Sequence, residues 1–194
     1  MIKENHLVWY VCYGSNLLEE RFLCYIRGGR IPGNTRSEIG AKDKSDPLAI
    51  RPCIIHHTLF FSHHAEKWDG SGVAFIDTEE DMSAASYGKM YLITKEQFLD
   101  VVRQENSLPM NCDISIDEAA VVKNKTCVLF ENNYYGRLLY LGQTDGIPMY
   151  TFTCVSPMKE MTLTKPSGEY RRIIADGIKQ TYGLDDKLIE EYLS

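Results

Sequence analysis

The stretch Leu7-Val-Trp-Tyr-Val-Cys-Tyr13-Gly14-Ser15-Asn16-Leu17 decides how the chain begins to fold. Its first part is continuously apolar and rich in β-branched and aromatic residues, which is the composition of a buried strand. Gly14-Ser15-Asn16 stops that strand. A helix is expected from Leu17 to about Arg27, with Leu18, Phe22, Tyr25 and Ile26 on one face. Asn16 is its expected N-cap, and Glu19 and Glu20 fall in the first turn, where the helix dipole favours acids. Gly28-Gly29 ends it. A strand that turns tightly into a helix leaves several backbone N–H groups pointing one way, a small anion site suited to a carboxylate or phosphate. Gly14 permits close backbone approach and any positive φ that the turn requires. A plain capped turn that binds nothing fits the same residues. There is no G-x-G-x-x-G and no Gly-Lys-Ser/Thr of a P-loop, which argues against a nucleotide.

Working outward, residues Gly28 to Pro52 are rich in Gly, Pro, Asn, Ser and alternating charge, and read as a loop insertion at 28–52. Strands are expected at Cys53–His63, Gly72–Asp77 and Tyr87–Ile93. Thr94-Lys-Glu-Gln97 has the form of a capping box and opens a helix to about Asn106, with Phe98, Val101 and Val102 on its apolar side. Further strands are expected at Thr126–Phe130, Arg137–Leu141 and Tyr150–Cys154. Ser167 caps a helix through Thr181 that Gly183 ends, and Asp185 caps a last helix over Asp186–Leu193. This order of elements gives an α+β class with a mixed or largely antiparallel sheet, in one domain over 1–194.

The chain has 194 residues, 44% hydrophobic and 25% charged, with 21 Lys+Arg against 27 Asp+Glu and a net charge of −6. That balance disfavours nucleic acid or an anionic membrane as a partner. No apolar run reaches the ~18 residues that span a bilayer, and Glu4 with no small-residue cleavage site argues against an export signal. The six cysteines, none in a C-x-x-C pair, are expected as buried thiols of a cytoplasmic protein.

Glu105 lies seven residues after Phe98, four after Val101 and three after Val102, so helical spacing places it on the apolar stripe. A carboxylate there is costly unless paired or protonated, and desolvation is one way a general acid or base is tuned. A helix end that has reached solvent, or a structural ion pair, fits the same spacing. His56, His57, His63 and His64 form adjacent pairs that do not converge as ligands, with no acidic or Cys ligand nearby, so no metal is expected. No G-x-S-x-G elbow accompanies Ser15, and no cysteine has a basic flanking motif, so a hydrolase triad has no support.

Tyr10-Val-Cys-Tyr13-Gly14-Ser15-Asn16-Leu17 resembles the Y-G-S-N-L signature of γ-glutamylcyclotransferase-like proteins. Three further matches follow in family order. Gly72-Val-Ala-Phe-Ile resembles the family's Gly-containing strand. Tyr87-Gly88-Lys-Met-Tyr-Leu-Ile, with the helix ending in Gln104-Glu105, resembles the strand and helix carrying its catalytic glutamate. Pro166-Ser-Gly-Glu-Tyr170 resembles its C-terminal Pro-Ser-x-x-Tyr segment.

The resemblance implies a small mixed β-barrel flanked by helices, and cyclisation of a γ-glutamyl group to 5-oxoproline with release of an amine. It implies Glu105 as acid/base, and Tyr13, Gly14, Ser15, Asn16 and Leu17 as substrate-binding, with Tyr10 contributing from the same strand. Tyr170 becomes a substrate-side hydroxyl. The implied partner is a small γ-glutamyl molecule, no cofactor is implied, and a homodimer rests on the family analogy alone. A non-catalytic small-molecule binding module reusing the same residues is the alternative. The chain departs from the family in Glu105-Asn106, where Glu-Gly is common, and in Val101-Val-Arg-Gln, where some members are acidic. The 28–52 segment is also longer than in compact members. These departures leave the identity of the leaving amine open.

Overall fold

The computed structural model describes residues 7–30, 37–65 and 70–194. The elements are β1 (Leu7–Cys12), a 3-10 turn (Ser15–Leu17), α1 (Glu19–Arg27), β2 (Ala49–Ile55), β3 (Leu59–Ala65), β4 (Ser71–Ile76), β5 (Ser86–Thr94) and α2 (Lys95–Glu105). There follow α3 (Glu118–Asn124), β6 (Thr126–Val128), β7 (Arg137–Thr144), β8 (Ile147–Thr153), α4 (Gly168–Tyr182) and α5 (Asp186–Tyr192). Six strands hydrogen-bond in the order β2-β5-β1-β8-β7-β6, and β3 and β4 form a separate antiparallel ribbon. The class is α+β with a mixed sheet, since β1 runs parallel to β8 while β7 and β8 are antiparallel. No helix among the described residues is long and apolar enough to cross a membrane.

The chain falls into two compact units. The first comprises Met1–Val11, Leu23–Ile50 and Met90–Val155. Its core is aromatic: Tyr10 stacks on Phe152 at 5.3 Å between ring centroids, and Phe98 of α2 lies 5.9 Å from Tyr10. Phe98, Val101 and Val102 are fully buried, as their helical spacing requires. Burial of a side chain such as Phe98 stabilises by about 1.5–3 kcal/mol. β7 and β8 are longer than expected, joined at Asp145-Gly146, where both residues take positive φ, 55° and 75°. That is the two-residue turn whose twist matches a hairpin.

The second unit comprises Cys12–Phe22, Arg51–Lys89 and Ser156–Ser194. α4 packs against the Ser15–Leu17 turn, and Gly177 makes the contact: a Cβ there would stand 2.4 Å from the Leu17 carbonyl carbon. Thr164 covers Gly72 in the same manner, and the Gly72 N–H donates to the Lys165 carbonyl at 3.0 Å.

The expected caps of α2, α4 and α5 are present: Thr94 with Gln97, Ser167, and Asp185. Four expectations are corrected. The single strand expected over Cys53–His63 is two, β2 and β3, because His56 and His57 sit in the turn between them. β2 begins at Ala49, inside the expected 28–52 insertion, and Pro52 is tolerated because β2 is the edge strand. Residues 31–36 of that insertion lie outside the described residues. α3 was not expected, although Asp117 caps it through the Ala120 N–H, an acid-led start that the sequence displays. All six cysteines are thiols, but only Cys12, Cys24 and Cys154 are fully buried.

Candidate functional site

In the second unit the chain passes from β1 through Tyr13 and Gly14 into the 3-10 turn. The Leu17 N–H donates to the Gly14 carbonyl at 3.0 Å, and the Leu18 N–H to the Ser15 carbonyl at 3.2 Å. Asn16 is therefore a buried member of the turn and not the cap of α1. α1 starts at Glu19, its first bonds running from the Arg21 and Phe22 N–H groups to the Leu18 carbonyl. Two of the expected N–H donors are committed in this way. Among the described residues the N–H groups of Gly14 and Ser15 donate to no protein acceptor, and these two residues are only half-buried. Tyr13 and Leu17 are buried, and Leu17 packs under Gly177.

Gly14 has φ −112°, so it supplies space and not a left-handed backbone. A Cβ on it would lie 3.1 Å from the Tyr170 hydroxyl oxygen and 3.3 Å from the Ala74 Cβ. Tyr170 is 2% exposed, and its hydroxyl accepts the Ala74 N–H at 3.2 Å. Its place is set by the cap of α4, where the Ser167 hydroxyl accepts the Tyr170 N–H at 3.1 Å. Residues 14, 74 and 170, remote in sequence, thus meet at one point.

The first turn of α1 is tied down by α4 and β5. Lys89 of β5 is 3% exposed, and its Nζ donates to Gln180 Oε1 at 2.8 Å. The same Gln180 oxygen accepts the Glu19 N–H at 3.1 Å. Burial pushes the Lys89 ammonium below the usual lysine range, with Cys12, Glu19 and Glu20 opposing. Sequence reasoning missed this lysine, although a cation inside Tyr87-Gly-Lys-Met-Tyr-Leu-Ile was its signal.

In the first unit Glu105 is the last residue of α2 and is half-buried. The polar side of α2 holds the 40–45 segment. Gln97 Nε2 donates to the Ser45 carbonyl at 2.8 Å, Asp100 Oδ2 accepts the Lys42 N–H at 2.8 Å, and Gln104 Oε1 accepts the Gly40 N–H at 3.0 Å. Buried Asp100 pairs with Arg103 at 2.7 Å, and Arg103 Nε donates to the Cys112 carbonyl at 2.8 Å. Tyr10 belongs to the aromatic core of this unit and is 3% exposed.

The histidines are engaged with backbone. His56 Nδ1 lies 3.0 Å from the Ala84 carbonyl, His57 Nδ1 2.8 Å from that of Asp77, and His64 Nδ1 2.7 Å from that of Gly70. Among the described residues no three or more His, Cys, Asp or Glu are grouped as metal ligands.

No protein-family model matches the chain. Histone deacetylase 5 of Arabidopsis thaliana is 33% identical over 198 residues, covering 96% of this chain. The chain spans only 30% of that relative's length. Among solved structures, a gamma-glutamyl cyclotransferase superposes with a TM-score of 0.52 at 17% identity, over 96% of this chain and 86% of that one. The uncharacterized protein loc79017 from Homo sapiens superposes at 0.54 and 18%, with the same coverage. At these identities the likeness is one of fold, and the chain has the gamma-glutamyl cyclotransferase fold.

Proposed function

We propose that the chain converts a γ-glutamyl amide to 5-oxoproline with release of an amine, Glu105 serving as general acid/base. The observation that supports this reading is the meeting of Gly14, Ala74 and Tyr170. Each belongs to a different segment that resembles the cyclotransferase family, and packing brings all three to one point. The likeness to a solved gamma-glutamyl cyclotransferase agrees with it.

The chemistry needs few groups. The substrate's α-amine attacks its own γ-carbonyl carbon, so the enzyme supplies no nucleophile. A carbon–nitrogen bond forms, the amine proton passes to Glu105, and a tetrahedral oxyanion results. The bond to the departing nitrogen then breaks as Glu105 returns the proton to it, which one carboxylate can do in both directions. The Gly14 and Ser15 N–H groups are free to take the glutamyl carboxylate or the oxyanion, and the Tyr170 hydroxyl is the substrate-side hydroxyl of this reading. Holding the substrate folded for attack offsets its entropy cost. The thiol state of all six cysteines agrees with a reducing, cytoplasmic setting.

The test is incubation with γ-glutamyl amino acids, γ-glutamyl amines and carrier-bound γ-glutamyl groups, with 5-oxoproline as the readout. Product from at least one is expected. Glu105→Gln is expected to abolish turnover with an unchanged circular dichroism spectrum. Near-normal turnover in that variant overturns the assigned role, and no product from any substrate favours a binding module.

A further inference from the structure

We propose that Asn106 is the positioning residue for Glu105, clamping the end of α2 to the Asn133–Tyr135 segment so that the carboxylate holds one direction. The inference rests on the acid/base role proposed above.

A helix end normally frays, because its last carbonyls have no partners within the helix. Glu105 is the last residue of α2, so its carboxylate would follow any such motion. Asn106, 7% exposed, prevents it. Its backbone N–H donates to the Val102 carbonyl at 3.1 Å, and its Nδ2 donates to the same carbonyl at 3.0 Å. The side chain also pairs with the Tyr135 backbone in both directions. Nδ2 donates to the Tyr135 carbonyl at 3.2 Å, and Oδ1 accepts the Tyr135 N–H at 3.2 Å. Asn133 Nδ2 closes the arrangement by donating to the Asn106 carbonyl at 3.1 Å.

On the other side, Gln104 Nε2 donates to the Tyr25 carbonyl at 2.9 Å and to that of Asp100 at 3.2 Å. Successive helix positions differ by about 100°, so these two clamps lie on opposite flanks of Glu105. Asn106 has φ −95°, which any residue adopts, so its backbone does not call for glycine. A glycine at this position, common in the family this chain resembles, keeps the turn and removes every side-chain bond of the clamp. An ordinary Asn used only as a helix stop would need none of the Tyr135 contacts.

The test compares wild type with Asn106→Gly and Asn133→Ala. In Asn106→Gly, kcat for 5-oxoproline formation is expected to fall about tenfold with KM changed by less than about twofold. In Asn133→Ala, which removes one bond of the clamp, kcat is expected to fall about twofold to threefold, and this variant serves if Asn106→Gly does not fold. Two further readouts need no turnover: the side-chain chemical shift of Glu105 and the exchange rate of the Tyr135 amide. Both are expected to change. An unmoved Glu105 signal with faster Tyr135 exchange overturns the proposal, because Asn106 then only staples a loop; so does an unchanged kcat in both variants. If wild type makes no 5-oxoproline, the functional reading fails, and the Glu105 signal alone decides whether Asn106 positions it.

Discussion

Gly14 shows what one missing methyl group can do. Its φ of −112° lies outside the left-handed region, so the case for glycine here is the space a Cβ would take. Gly28, with φ +82°, differs, because there the backbone itself is strained for other residues. Gly14→Ala places a methyl 3.1 Å from the Tyr170 oxygen and 3.3 Å from the Ala74 Cβ, both buried residues. A loss of about 1–3 kcal/mol in unfolding free energy is expected, the usual cost of an inserted methylene. Tyr170→Phe removes the nearer contact, so in a double-mutant cycle part of that loss should be relieved. Strict additivity of the two substitutions in chemical denaturation would show that Gly14 and Tyr170 do not press on one another. The closeness of these residues was legible only through the family resemblance. Spacing along the chain carries no information on a contact across more than 150 positions. Asn16 departs from its expected cap position for a related reason: a good capping residue next to a helix does not reveal that a 3-10 turn intervenes.

At the scale of the element, α2 is organised by three faces. Phe98, Val101 and Val102 enter the core, Gln97, Asp100 and Gln104 hold the 40–45 segment, Arg103 holds the Cys112 carbonyl, and Asn106 holds the 133–135 segment. Asp100 places one oxygen on the Arg103 guanidinium and the other on the Lys42 N–H. Asp100→Ala leaves a buried guanidinium without its counter-charge. Breaking such a pair from one side costs about 3–5 kcal/mol. The expected result is a lower urea midpoint together with faster amide exchange at Lys42, whereas a midpoint unchanged from wild type would mean that Arg103 finds another acceptor. The apolar face and the Thr94 capping box were legible, since periodicity and the N3 glutamine are local signals. The polar face was not: Gln97, Asp100 and Gln104 look like ordinary solvated positions until the 40–45 segment is laid over them. β7 runs past the expected end at Leu141 and β8 starts before the expected Tyr150, because Asp145-Gly146 forms a two-residue hairpin turn between them.

For the whole molecule, the buried titratable groups set the response to alkali. Burial raises the thiols of Cys12 and Cys53, the latter to about 12, from an ordinary value of 9.0. It raises the hydroxyls of Tyr150 and Tyr182 to about 12, and that of Tyr192 in the same direction, from 10.0. For each, the unfolded chain loses its proton first as pH rises, so the folded form binds more protons and stability falls. Their contribution is complete below the unfolded values and is lost from about pH 9 upward. Lys89 acts in the opposite sense. Its folded value lies below 10.5, so the cost of burying its charge lifts as pH climbs toward that figure. Five groups outweigh one, and a urea midpoint steady from pH 7 to 8 should decline above about pH 9. Lys89→Met removes this opposing group, so its decline should be steeper than that of wild type. Cys12, Cys53, Tyr182, Tyr192 and Lys89 all belong to the second unit, while Tyr150 alone of these belongs to the first. Loss of amide protection should therefore begin in the segments 12–22, 51–89 and 156–194. A midpoint that holds constant to pH 10.5, or protection lost first from the first unit, would mean that burial of these groups does not govern the alkaline limit.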